Sequence, residues 1–152
     1  MNRTIRLAMA ALALAVPAAA FADVTIDAPW IRGVVPGQSV TGAFMTIRST
    51  EATELVRVES PAAESLHVHR TAMVDGMMSM EPVESLAVPA HGSVQLEPGG
   101  FHVMLVGLRT PLRAGEKVPL TLTFRSADRR QTVVTVQAEV RDVTGMPSNG
   151  RR

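Results

Sequence analysis

Apolar and polar residues alternate along most of the chain after residue 23. In Lys117–Arg125 and Gln131–Val140, for example, most alternate positions are apolar, and Val, Thr and Leu predominate. This period-2 pattern is typical of strands that bury one face. The pattern predicts nine strands, at Val24–Ala28, Val40–Arg48, Glu54–Glu59, Glu64–Arg70, Met77–Glu81, Ser93–Glu97, Phe101–Leu108, Lys117–Arg125 and Gln131–Val140.

Short segments rich in Gly, Pro and Asp separate the predicted strands. Asp75-Gly76, between two apolar runs, is the strongest hairpin signal among them. Turns recur at intervals of about 8–12 residues, as in antiparallel sandwiches and barrels. No segment shows a sustained helical period. We therefore predict a single all-β domain, an antiparallel β-sandwich or barrel.

The N-terminal segment has the layout of a bacterial secretory signal peptide. Arg3 and Arg6 precede an apolar run, and Ala20-Phe21-Ala22 offers a small-residue cleavage site. The apolar run is shorter than the roughly 20 residues that a spanning helix needs, and Pro17 interrupts it. We therefore predict export to the periplasm, with a mature protein that does not span the membrane. The predicted segments are a signal peptide over 1–22, a β-sandwich domain over 23–143 and a flexible tail over 144–152.

Charge and composition make nucleic acid an unlikely partner class for this chain. The sequence has 15 basic and 14 acidic residues, and removing 1–22 takes away Arg3 and Arg6 and no acid. The mature chain would then carry 13 basic against 14 acidic residues, a net charge of −1. No Lys/Arg cluster or aromatic platform is present, so no nucleic-acid partner is expected.

Histidine and methionine are the candidate metal ligands, because the chain has no cysteine. His69, Met80, His102 and Met104 stand out among them. Imidazole and thioether together suit the soft ion Cu(I), whereas thioethers are poor ligands for magnesium or calcium. Unlike thiolates, thioethers cannot form disulfides in an oxidising compartment. If these four side chains converge in space, the protein binds Cu(I).

Two of the predicted strands place candidate ligands on a common face. His102 and Met104 are two residues apart, so both project from the same side of their strand. A core methionine beside a half-buried histidine is the alternative interpretation of this pair. His67 and His69 share a face by the same rule, and their spacing does not decide which of them would bind a metal.

Four methionines lie within eight residues around the predicted hairpin turn: Met73, Met77, Met78 and Met80. Met78 and Met80 share one face, and Met77 takes the other. Methionine usually fills gaps in cores, which explains Met77. A hairpin tip buries little surface, however, so metal capture is the better explanation of the cluster.

Other residues of these types have simpler interpretations. His91 is predicted to be a solvated loop residue, and Met45 to lie in the core or beside the site. Nothing in the sequence positions Met146, in the predicted tail. Trp30 is expected to be a structural plug. Arg32 is expected either to pair with a carboxylate or to be exposed.

The spacing of the four candidate ligands resembles the motif of the PCu(A)C family of periplasmic copper chaperones. That motif is a His, ten residues, a Met, twenty-one residues and then His-x-Met, which His69, Met80, His102 and Met104 match. The likeness extends over about Asp27 to Val140. Flanking segments that carry it include Ala28-Pro29-Trp30-Ile31-Arg32, Thr41-Gly42-Ala43-Phe44-Met45 and Leu96-Glu97-Pro98-Gly99-Gly100-Phe101.

The resemblance implies a cupredoxin-like β-sandwich that binds Cu(I) through these two histidines and two methionines. It also implies delivery of copper to the Cu(A) site of cytochrome c oxidase subunit II, alongside a Sco-like protein. His67 departs from the family pattern, which often has an acidic residue there, and is a possible rival ligand. The tail has no histidine, so a second, Cu(II) site is not expected.

The ligand set favours a carrier over an enzyme. A blue-copper centre needs a cysteine ligand, which this chain lacks. No motif arranges Ser, His and Asp as a nucleophilic triad. The alternative function is a periplasmic copper-buffering or tolerance protein without a dedicated acceptor, since buffering and delivery need the same site. A β-sandwich structural module with accidental Met/His spacing is a third interpretation.

Overall fold

A computed structural model of the protein describes residues 22–142. The predicted signal peptide, apart from Ala22, and the predicted tail with Met146 lie outside this range. Within it no helix is long and apolar enough to cross a membrane. The described chain folds into ten strands: β1 Val24–Arg32, β2 Val40–Ser49, β3 Thr53–Glu59, β4 Ala63–Val74, β5 Met77–Val83, β6 Leu86–Val88, β7 Gly92–Leu96, β8 Phe101–Leu108, β9 Lys117–Ser126 and β10 Gln131–Arg141.

The nine predicted strands are all present, and one strand was missed. β6 has only three residues, Leu86–Val88, too few for alternation to be visible in the sequence. β1 also continues beyond its predicted end to Arg32. It does so through a bulge, because Ala28 has a positive φ of 46° and the β1–β2 register shifts between Asp27 and Trp30.

The strands form one sheet in the order β5-β4-β8-β7-β2-β1-β10-β9-β3-β6, with β8 also paired to β2. The predicted antiparallel arrangement holds for most neighbours, but β1 and β10 are parallel, as are β7 and β8 at a single residue pair. The sheet curls, because β3 contacts β4 and β6 contacts β7 without being paired to them. Buried residues from every strand except β5 therefore meet in one hydrophobic core.

Alternation along the strands decides which side chains enter this core. In β9, Val118, Leu120, Leu122 and Phe124 are all buried in it, as the sequence pattern predicts. In β8, Val103 and Leu105 are fully buried in the same core. The residues between them on β8 therefore project from the outer side of the sheet. We call the outer side of β5, β4, β8 and β2 the site face.

Candidate metal centre

The pairing of β4 with β8 brings two candidate histidines together on the site face. In the antiparallel register His69 lies directly opposite His102. The centroids of their rings are 5.9 Å apart and the ring planes are inclined at 60°. Two residues along β8, Met104 lies opposite His67. Three of the four candidate ligands therefore lie in two adjacent rows of one sheet face.

The β4–β5 hairpin adds the fourth candidate, Met80. Its turn residues Asp75 and Gly76 have φ values of 50° and 77°, and two positive φ angles define the tight type I′ hairpin that the sequence predicted. The resulting register places Met80 opposite Thr71. Thr71 is two residues beyond His69, so Met80 is a diagonal neighbour of His69 on the same face.

An open cleft of about 320 Å³ lies along the site face. Met80, His102 and Met104 line it together with Met78. His69 does not line this cleft, but its ring neighbours the ring of His102, which does. Three of the four predicted ligands therefore line one cleft, and the fourth, His69, lies beside one of them.

A backbone carbonyl fixes the orientation of the buried His102 ring. Nδ1 of His102 lies 3.2 Å from the carbonyl oxygen of Gly100, which can only accept, so Nδ1 carries the proton and donates. The same oxygen accepts the N–H of Thr71 at 3.1 Å. In the neutral ring this hydrogen bond selects the tautomer that leaves Nε2 of His102 as the nitrogen available to bind a metal ion.

The surroundings of His69 favour the neutral form of its ring. Burial, and then the neighbouring His102 and His67, lower the pKa of His69 from its ordinary value. Its Nδ1 is buried and has no hydrogen-bond partner among residues 22–142. An unpaired buried polar atom costs about 1–3 kcal/mol, and a bound ion is one of the partners that can remove this penalty. His69 is therefore suited to be a ligand.

His67 lies on the site face, but it does not oppose another imidazole. Its side chain is exposed and its cross-strand partner is Met104. In the part of the chain that the structure describes, no group of three or more His, Cys, Asp or Glu residues could hold a metal ion. The histidines alone therefore form no such site, and any tetradentate site here needs thioether ligands.

The remaining predicted candidates lie where the sequence placed them. His91 is exposed at the turn between β6 and β7, and its φ of 53° is that of a tight turn. Met45 is buried in the hydrophobic core. Neither residue belongs to the site face.

An aromatic cluster beside the site was missed at the sequence level. Phe44 is buried but lies outside the hydrophobic core, with its ring centroid 6.5 Å from that of His102 and 4.6 Å from that of Trp30. The guanidinium of Arg32 lies over the same ring, 5.6 Å from its centroid. Arg32 is therefore half-buried and stacked rather than exposed, and it has no carboxylate partner among residues 22–142, in contrast to both expectations. Gly42, two residues before Phe44, leaves the space that the Phe44 ring fills.

Fold and site together define an all-β domain with a His/Met cleft on the outer face of its sheet. The comparison with protein families agrees: residues 24–140 match a family described as "Putative lipoprotein LpqE-like", and the chain belongs to this LpqE-like family. One relative is "Putative lipoprotein Lxx21020" of Leifsonia xyli subsp. xyli. It is 33% identical over 117 residues, which cover 75% of this chain and 69% of the relative.

Solved structures show the same architecture. The solution structure of apo-DR1885 from Deinococcus radiodurans is 32% identical, with a TM-score of 0.55 over 93% of this chain and 97% of that one. CuI-DR1885 is 34% identical, with a TM-score of 0.50 over 85% and 83% of the two chains. The copper-bound PCuAC domain from PmoF2 is 23% identical, with a TM-score of 0.62 over 78% and 92%. These likenesses confirm the predicted cupredoxin-like fold and the resemblance to the PCu(A)C family.

Proposed function

We propose that this protein is an extracytoplasmic copper carrier that holds one Cu(I) ion through His69, Met80, His102 and Met104. We call this set the four-ligand site. The observation that carries the proposal is the direct opposition of His69 and His102, with both methionines in adjacent rows of the same face. Further support comes from the family likeness and from the related structure of CuI-DR1885.

The distances between the rings suit a single bound ion. A coordinating imidazole nitrogen lies about 2.0–2.1 Å from a first-row metal such as zinc, so two imidazoles on one ion have centroids roughly 5–6 Å apart. The 5.9 Å between the His69 and His102 centroids fits this range. Met80 and Met104 are flexible enough to bring their sulfurs to the two remaining positions.

Exposure of the ligands favours delivery over buffering. Met80 is 54% exposed, whereas His102 is buried and anchored by its hydrogen bond to Gly100. An acceptor can therefore replace the Met80 thioether first, while His102 still holds the ion. A site meant only for retention would be better closed from all sides. The neutral ligands also leave the charge of Cu(I) uncompensated, which assists transfer to an anionic thiolate site.

The proposed acceptor is the Cu(A) site of cytochrome c oxidase subunit II, with a Sco-like protein as a partner in the same pathway. This assignment rests on the PCu(A)C resemblance. The proposed location is the periplasm, supported by the lipoprotein description of the family and by the predicted signal peptide. The proposed role is carriage of copper, with no catalytic step.

An anaerobic competition titration against a chromophoric Cu(I) chelator tests the site. Wild-type protein should take up one tightly bound equivalent. His69→Ala and His102→Ala should each lower the Cu(I) affinity by at least about 10-fold, since even loss of a group that only supports a ligand costs 10–100-fold. His91→Ala is the matched control, because His91 is exposed and lies off the site face. Equal affinity in all four proteins would contradict the proposal.

Deletion of the gene tests delivery separately from binding. Loss of oxidase activity that added copper restores would support delivery to the Cu(A) site. Sensitivity to copper with normal oxidase activity would support the buffering alternative and contradict delivery. The His102→Ala allele should reproduce the deletion, whereas the His91→Ala allele should behave as wild type.

A further inference from the structure

Two methionines at the hairpin tip are not used by the four-ligand site. Met73 and Met78 are 68% and 69% exposed, so neither contributes to the core. They lie directly opposite each other in the β4–β5 register. Met78 is two residues from Met80 and therefore on the same face. The register thus places three thioether side chains side by side on the site face.

The spacing of these side chains allows their sulfurs to meet. Directly opposed residues have Cβ atoms about 4.5–5.5 Å apart, and diagonal neighbours are about 7–8 Å apart or less. Methionine is unbranched and rotates freely about three bonds, so its sulfur can span such gaps. Met78 and Met80 already line the same cleft. Thioethers select soft ions such as Cu(I).

We propose that Met73, Met78 and Met80 form a second, weaker Cu(I) site through which the ion reaches and leaves the four-ligand site. We call these three residues the hairpin site. Met80 belongs to both sites, so it can hold the ion while the other ligands exchange. The proposal rests on the proposed function for the identity of the four-ligand site.

The transfer step is a ligand exchange. Bonds from copper to the sulfurs of Met73 and Met78 break, and the bond to Met80 is kept. Bonds to the nitrogens of His69 and His102 and to the sulfur of Met104 form. Copper stays in the +1 state, and no proton or electron moves. All ligands of the hairpin site are neutral, solvent-exposed thioethers, and no imidazole is among them. Its affinity for Cu(I) is therefore lower than that of the four-ligand site, which directs the ion inward.

Met77 provides a matched control within the same hairpin. It is 73% exposed, similar to Met73 and Met78. It pairs with Val74, one position away from the Met73–Met78 pair, and so projects from the opposite face. Non-specific binding of copper to any exposed methionine would involve Met77 as well. Coordination at the hairpin site would not involve Met77.

The test is an anaerobic Cu(I) titration of the mature chain with carbon-13 in the methionine methyl groups, followed by NMR. The first equivalent should shift the Met80 and Met104 signals. The second should bind through Met73 and Met78, since Met80 is then held by the first ion, and should shift their two signals and leave Met77 unchanged. If Met73 and Met78 stay unshifted, or Met77 shifts with them, the hairpin site is wrong. If the first equivalent leaves Met104 unshifted, the four-ligand site itself is wrong.

Substitution gives a second readout on folded protein. The double variant Met73→Leu/Met78→Leu keeps the apolar volume and removes both sulfurs. It should lose the second equivalent, bind the first with unchanged affinity, and accept Cu(I) from a chelator more slowly than wild type. Met77→Leu should match wild type in all three measurements. Retention of the second equivalent by the double variant would overturn the proposal. An unchanged loading rate would show that the tip has no part in transfer.

Discussion

The ring of His102 is oriented by Gly100, whose carbonyl oxygen accepts a hydrogen bond from Nδ1 at 3.2 Å. Since the same oxygen accepts the N–H of Thr71, the turn before β8 is tied to β4 as well as to the ring. The orientation of the proposed ligand therefore depends on the backbone of that turn.

Gly99 in this turn gives the first prediction. It has a φ of +90° and open space around it, so Gly99→Ala strains only the backbone, by about 1–2 kcal/mol. The displaced Gly100 carbonyl should also lower the Cu(I) affinity by about 10-fold. Gly115→Ala is the control, with the same φ and the same open surroundings away from the cleft. Denaturant unfolding should show that the two variants are equally destabilised. Chelator competition should show a reduced Cu(I) affinity only in Gly99→Ala, and equal affinities in the two variants would argue against the role of the turn.

Met80 gives the second prediction, because it is the most exposed of the four proposed ligands. Met80→Leu should lower Cu(I) affinity by at least about 10-fold, as removing a ligand should exceed the effect of removing its support. Stability should change by no more than about 0.5 kcal/mol, since the side chain is exposed. Met77→Leu should retain wild-type affinity. The same chelator competition compares the three proteins, and an unaffected Met80→Leu would remove this thioether from the site.

The lowered pKa of His69 gives the third prediction, for the metal-free protein. Between that lowered pKa and the ordinary value of 6.5, the unfolded chain binds more protons than the folded chain. The free energy of unfolding should therefore fall as pH drops below about 6.5 and should gain nothing from His69 at higher pH. Denaturant unfolding from pH 8 to pH 5 measures this slope. His69→Gln should flatten it and His91→Ala should not; an unchanged slope in His69→Gln would contradict the assignment.

Phe44 gives the fourth prediction, because it supports the His102 ring from outside the core. Phe44→Leu should let the ring move and lower Cu(I) affinity by roughly 10-fold, the lower end of effects from supporting groups. Phe124→Leu is the control, since Phe124 is fully buried in the core. It should cost more free energy of unfolding but leave the affinity of the folded protein unchanged. Affinity losses that merely follow stability losses would argue against a specific role for Phe44.

Local features of the site could be predicted from sequence. Period-2 spacing placed His102 and Met104 on one face, with Val103 and Leu105 on the other, because strand geometry alone decides this. Asp75-Gly76 predicted the hairpin because local backbone geometry decides this too: a type I′ turn favours residues that tolerate positive φ.

Long-range features could not be predicted. Strand spacing alone left His67 and His69 equivalent, and His69 was selected only by the resemblance to the family motif. The β4–β8 register is what places His69 opposite His102. Register between distant strands depends on the whole core, which no local pattern encodes. The position of Phe44 was missed for a related reason. It is apolar but buried on the outer face, beneath Trp30, so its burial depends on neighbours from another strand.

X-ray absorption at the copper K edge of the Cu(I)-loaded protein tests the central claim most directly. Two sulfur and two imidazole nitrogen scatterers around copper are predicted, with one sulfur lost in Met104→Leu and one imidazole lost in His69→Ala. A copper environment of nitrogen and oxygen alone, unchanged in Met104→Leu, would contradict the claim that thioethers and imidazoles of the site face share one ion.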